Sequence, residues 1–164
     1  MVMIIKKAIV SLAFILCAAF SGLSQTKSIN LELLGSSGLA GVNFDTRFSG
    51  NSGIGYSVGL GYGYSQGGVD LPETKGNDSV SHEAGIPIEV NYLFGDGNSH
   101  FVLGAGAYAG IHINEAQSKP QFAYTVFGDI AYRYQKPTGF SFAAGLKPNL
   151  RQVLWPYIAI GYSF

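Results

Sequence analysis

Cysteine is almost missing from this chain. The one cysteine, Cys17, lies in the apolar leader, so the rest of the sequence has no disulfide, no thiolate metal site and no thiol nucleophile. Charge is scarce too, at 12% of residues, with ten Lys+Arg against ten Asp+Glu. That balance leaves no basic footprint for nucleic acid. After residue 24 no run is apolar for the ~20 residues that a membrane-spanning helix needs, and none repeats apolar residues at helical spacing. There is no nucleophile-elbow sequence and no EF-hand spacing. Gly59-x-Gly61-x-Gly63 opens no helix and alternates along a strand, so it is not a phosphate loop. No cofactor or metal is indicated.

What is abundant is glycine (23), tyrosine (10) and phenylalanine (11). The N-terminus carries Lys6 and Lys7, then an apolar, uncharged stretch from Ala8 to Phe20, then small residues at Gly22 and Ser24. This is the layout of a secretory signal peptide, residues 1–24, too short for a lasting transmembrane helix. An uncleaved anchor is the alternative. Leu16 before Cys17 is not the small residue that a lipoprotein cysteine would want. Cleavage leaves residues 25–164 as one domain, with eight basic against ten acidic side chains and a net charge of about −2.

That domain alternates apolar and small or polar residues at period two. Eight strands are expected: 28–34, 39–48, 54–65, 85–94, 101–113, 121–134, 140–147 and a last one ending at Phe164. In the third, Ile54, Tyr56, Val58, Leu60, Tyr62 and Tyr64 share one face; Gly55, Ser57, Gly59, Gly61, Gly63 and Ser65 share the other. Gly35–Gly38, Ser49–Gly53, Gly95–Ser99 and Lys136–Gly139 supply turns. The reversal at Gly35–Gly38 is short for an outer loop, and one long bent strand is an alternative there. Residues 66–84 form the longest connection. The prolines are expected outside strand interiors, where a missing N–H breaks no ladder.

Eight such strands make either a cup with an apolar interior or a membrane barrel with an apolar exterior. Residue volume decides. A soluble core of Gly55, Gly59, Gly61, Gly63, Gly104, Gly106 and Gly110 would be full of voids and would bury unpaired ions. A narrow eight-stranded lumen must be filled by side chains. There the glycines make room for Tyr108, Phe127, Arg133, Trp155 and Tyr157. Lipid also demands that every backbone group be paired, so the sheet must close. With the N-terminus periplasmic, aromatics including Phe48, Phe94, Phe101 and Phe140 gather at one rim, and Tyr62, Tyr64, Phe122 and Tyr124 at the other. The reading is an all-β, eight-stranded antiparallel transmembrane barrel with both termini in the periplasm.

Tyr132-Arg133-Tyr134, Gly145-Leu146-Lys147-Pro148 and the terminal Gly161-Tyr162-Ser163-Phe164 give the chain a family likeness. It resembles the small outer-membrane β-barrel proteins of Bacteroidetes, and more broadly the OmpA/OmpX-like eight-stranded barrels. The resemblance implies an outer-membrane location and contact with outer-membrane lipids and lipopolysaccharide. It also implies that Tyr162 and Phe164 form part of a terminal signal for the outer-membrane assembly machinery. It implies no activity.

The inward charges are Glu32, Asp45, Arg47, Glu89, Asp129, Arg133 and Lys147. They are expected as a network of paired side chains filling the lumen, since a buried charge is costly without a partner. Glu89, Asp129 and Arg133 are expected to pair with one another. An ion-selective pore is the alternative. Ser81, His82 and Glu83 beside the longest connection, with His112, offer the residue types of acyl transfer; no catalytic residue is assigned, because acyl transfer requires contact among them. Asp70, Asp78, His82 and Glu83 read as solvated charge rather than a cation site. Asp78-Ser79-Val80 resembles a short bacterial O-glycosylation signal. The expected role is non-enzymatic, structural or surface-interacting, with a narrow pore and a lipid A-modifying enzyme as alternatives; the extracellular ligand is unknown.

Overall fold

The computed structural model describes residues 26–66, 80–114, 120–150 and 155–164. The leader 1–24, Asp70, Asp78 and most of the glycosylation-like signal lie outside them. Eight strands run in chain order: β1 (Lys27–Leu34), β2 (Ala40–Arg47), β3 (Gly53–Gln66), β4 (Val80–Phe94), β5 (Ser99–Asn114), β6 (Gln121–Gln135), β7 (Gly139–Leu146) and β8 (Pro156–Ser163). Each pairs antiparallel with the next, and β8 pairs back onto β1, so the sheet is a closed barrel. At the seam Ser28 faces Ser163 and Leu34 faces Tyr157. Lys27 and Phe164 extend the seam by exchanging backbone hydrogen bonds of 3.1 and 2.8 Å.

The alternation of the sequence becomes an inside and an outside. Leu60 is 69% exposed and Phe122 and Tyr124 are 72% exposed, whereas Arg47 is 0% and Asp45 and Asp129 are 1% exposed. This inverts a soluble protein, where large apolar groups are buried and ions stay in water. Glycine gives the interior its volume. A Cβ on Gly106 would fall 2.5 Å from the Phe127 ring, and one on Gly85 would fall 2.5 Å from the Tyr108 hydroxyl. Both rings therefore lie against bare backbone and close the lumen.

Wall height is unequal. β1, β2, β7 and β8 have 8 residues each, while β3 to β6 have 14, 15, 16 and 15. At about 3.3 Å per residue and a tilt near 40°, the short strands climb roughly 20 Å along the axis and the tall ones roughly 38 Å. The termini and the connections 48–52, 95–98 and 136–138 lie at one end. The tall wall overtops the short one at the other. There the short 3₁₀ turn Gly35–Ser37 joins β1 to β2, so the bent single strand is not formed. Leu34 enters that turn at φ 64°, the one non-glycine residue at positive φ among the described residues.

Two expectations are corrected. β4 begins at Val80, not Gly85, so Ser81, His82 and Glu83 belong to a strand. Polar residues on both faces there hid the period-two signal. Pro87 lies inside β4, contrary to the expected placing of prolines. The ladder to β3 skips Gly59 and Leu60 opposite Pro87 and Ile86, then resumes in the same register at Gly61–Gly85. The missing N–H thus omits two pairings without shifting the strand, and Pro87 still faces Tyr108 of β5.

Gly106→Val is expected to push Phe127 off the backbone and lower folding stability by about 1–3 kcal/mol in urea titrations of the detergent-folded barrel. Ala105→Val, one residue away on the outer face, is expected to change it by less than about 0.5 kcal/mol. Equal effects of the two would contradict the packed interior.

Candidate functional site

The seven inward charges sit in two layers. Toward the terminal end, Asp45 lies between two guanidinium groups. Arg47 Nη2 is 2.6 Å from Asp45 Oδ2 and Arg133 Nη1 is 3.0 Å from Asp45 Oδ1. Toward the tall-walled mouth, Lys147 Nζ lies 2.8 Å from Glu32 and 3.3 Å from Glu89, and it donates to Ser36 Oγ at 3.1 Å. Its ammonium also stands 4.6 Å from the centre of the Tyr157 ring and 5.5 Å from that of Phe127. Asn91 joins the layers by donating to Glu89 at 2.8 Å and to Asp45 at 3.4 Å.

The expected trio of Glu89, Asp129 and Arg133 does not form. Arg133 goes to Asp45, Glu89 goes to Lys147, and Asp129 accepts the Tyr157 hydroxyl at 3.0 Å on both oxygens. The reason is reach. Facing alternation says which residues point inward; strand stagger decides which of them stand at the same height. The neutral members of the network were missed. Asn43 donates to Glu32 at 2.9 Å, and Ser141 donates to Asn30 at 2.7 Å. Their inward phase in the alternation was the available signal.

Void space within the charge layers is about 20 Å³, bordered by Glu32, Asp45, Glu89, Asp129 and Arg133. That is the scale of one water molecule. At the terminal end the barrel is tied across its turns. Asn51 donates to the Gly97 carbonyl at 2.9 Å and to the Gln135 carbonyl at 3.1 Å, linking the β2–β3 and β4–β5 connections to the end of β6. His100, 2% exposed, stands beside it with Nε2 3.4 Å from Asn51 Nδ2.

At the mouth a cavity of about 370 Å³ lies above Phe127, Tyr108 and Lys147. Glu83 and His112 are register partners on its tall wall, with Oε2 and Nδ1 3.4 Å apart and side chains 29% and 31% exposed. The Tyr108 hydroxyl also bonds to Glu83. His82, next in sequence to Glu83, faces outward and meets the Tyr62 hydroxyl at 2.7 Å. The structure therefore brings Glu83 and His112 together and places His82 on the opposite face, away from them. Ring contacts mark both rims: Tyr92–Phe94, Phe94–Phe101, Phe48–Tyr56 and Tyr134–Phe140 at the terminal end, Phe122–Tyr124 and Tyr64–His82 at the mouth. Tyr162 and Phe164 are both exposed on the outer face of the seam.

Lys147→Met leaves Glu32 and Glu89 buried without their cation. It is expected to cost about 3–5 kcal/mol of folding stability, read as a lowered urea midpoint. The loss is expected to shrink when Glu32→Gln and Glu89→Gln accompany it. A single variant as stable as the parent would show that this ion cluster contributes nothing.

The chain matches no protein-family model and no curated relative. Among solved structures it is similar to the N-terminal β-barrel domain of Pseudomonas aeruginosa OprF, with a TM-score of 0.56 and 12% identity over 88% of this chain and 100% of that one. It also aligns with Ail, the attachment invasion locus protein of Yersinia pestis, at a TM-score of 0.42 and 15% identity over 86% of this chain and 97% of that one. The OprF likeness is one of fold: a closed, eight-stranded antiparallel barrel.

Proposed function

We propose that this chain is an integral outer-membrane β-barrel with a structural or surface-interaction role and no enzymatic one. The observation that carries the reading is the exterior. Ile29, Leu31, Val42, Leu60, Ile88 and Ile160 all stand about half exposed or more on a sheet with no free edge. In water such a surface would aggregate. In hydrocarbon it is the favourable one, and closure leaves no edge strand along the paired belt. The aromatic contacts at both rims suit the two water–lipid interfaces.

In this reading residues 1–24 direct export and are removed, and both termini face the periplasm. The longer connections at the mouth face outward, toward lipopolysaccharide and extracellular partners. Tyr162 and Phe164 serve as the strand read by the assembly machinery. The finer likeness to Bacteroidetes barrels belongs to the same proposal. The filled lumen, with its Asn51 tie below, supports a plug over a narrow pore. Glu83 and His112 meet at the mouth, but among the described residues no side-chain hydrogen bond ties the Ser81 hydroxyl to either, which supports a non-enzymatic role over a lipid A-modifying one.

The protein is expected in the outer-membrane fraction and to run on gels at a different mobility before boiling than after. In planar bilayers it is expected to give no conductance steps, and deletion of its gene should leave lipid A unchanged. Recovery as a detergent-free soluble protein would overturn the membrane reading. Steady single-channel steps would replace the plug with a pore.

A further inference from the structure

We infer that the mouth cavity is a binding site for a small organic cation, a protonated amine on an apolar or aromatic body. Its volume of about 370 Å³ falls in the range of small-molecule sites. It is a preformed space. The floor rings Phe127 and Tyr108 are seated on Gly106 and on Gly85, where a side chain would collide with them. The overtopping strands β3 to β6 supply one side, and the Leu34–Leu39 turn with Trp155 supplies the other.

Charge selects the ligand's sign. Lys147 is the one permanent cation of the described lining, and Glu32 and Glu89 flank it, so that group carries a net negative charge. Glu83 is the one carboxylate of the described lining itself, opposite a His112 that is cationic only when protonated. In the deeper layer Asp45 pairs with Arg47 and Arg133, and Asp129 meets the Tyr157 hydroxyl. The Lys147 charge is already engaged by Glu32 and Glu89, so the Glu83 carboxylate, walled by protein, is what draws a cation to the mouth. The walls then favour an ammonium in particular. Tyr108, Phe127 and Trp155 present aromatic surface, and the Lys147 ammonium already rests near the Phe127 ring at 5.5 Å. An anion of equal size would meet the same rings and the Glu83 carboxylate, with the one cation of the described lining already engaged.

The chain has a single tryptophan, and it lines this cavity, so Trp155 emission reads the site directly. The purified protein in detergent would be titrated with phenethylammonium chloride, 2-phenylethanol and sodium phenylacetate. A saturable change is expected with the amine, a weaker one with the alcohol and none with the acid. Glu83→Gln, checked for unaltered heat-modifiable mobility, should weaken amine binding by about tenfold or more. Thr125→Phe, which fills the cavity without touching a charge, should abolish it. The proposal is overturned if phenylacetate binds as well as the amine, if Glu83→Gln and Thr125→Phe both keep parental affinity, or if no probe gives a saturable response. Each result is separate from membrane fractionation, so loss of this site would leave the barrel reading standing.

Discussion

The β1–β8 seam is the pairing on which the rest of the structure depends. With Ser28 to Leu34 joined to Ser163 to Tyr157, neither β1 nor β8 keeps a row of open N–H and C=O groups along the seam. Only then can a sheet present an apolar outside, because an open edge in hydrocarbon costs several kcal/mol for each unpaired group. Closure at eight strands also fixes a small bore. A small bore must be filled, and the alternation of the chain leaves ions, amides, glycines and a few rings to fill it.

The interior follows from that limit. Placing Asp45, Arg47 and Arg133 in one layer and Glu32, Glu89 and Lys147 in another lets each of these six meet an opposite charge within 3.3 Å. Asn91 and Tyr157 bind oxygens that the cations do not reach, and Asn43 shares Glu32 Oε2 with Lys147. Removing one member leaves its partners charged and dry, so the plug is cooperative. The unequal strands give the barrel its second property. Four tall strands and four short ones cannot both end at the same height, and the step between them is the cup at the mouth.

Much of this was legible in the sequence, because period two assigns each residue to a face once strand phase is known. The strand count, the glycine-lined interior and the inward position of Asp45, Arg47 and Lys147 all come from that phase. Strand ends were less legible. The start of β4 was hidden because Ser81, His82 and Glu83 are polar on both faces, and the interior place of Pro87 went unread because the sheet tolerates two missing pairings. Partner choice was not legible at all. Whether Arg133 meets Asp45 or Asp129 depends on stagger around the barrel, which links strands distant in sequence. The mouth cavity was hidden for the same reason, since it arises from a difference in wall height rather than from any local sequence pattern.

Nitroxide labels read the two faces most directly. Labels at Leu60 and Ile130 on the outside, and at Asn43 and Ala143 on the inside, would be compared in bilayers using lipid-soluble oxygen and a water-soluble nickel chelate. The account predicts strong oxygen relaxation and weak nickel relaxation at Leu60 and Ile130, with Asn43 and Ala143 shielded from both. Outer labels shielded from oxygen, or inner ones open to it, would contradict it.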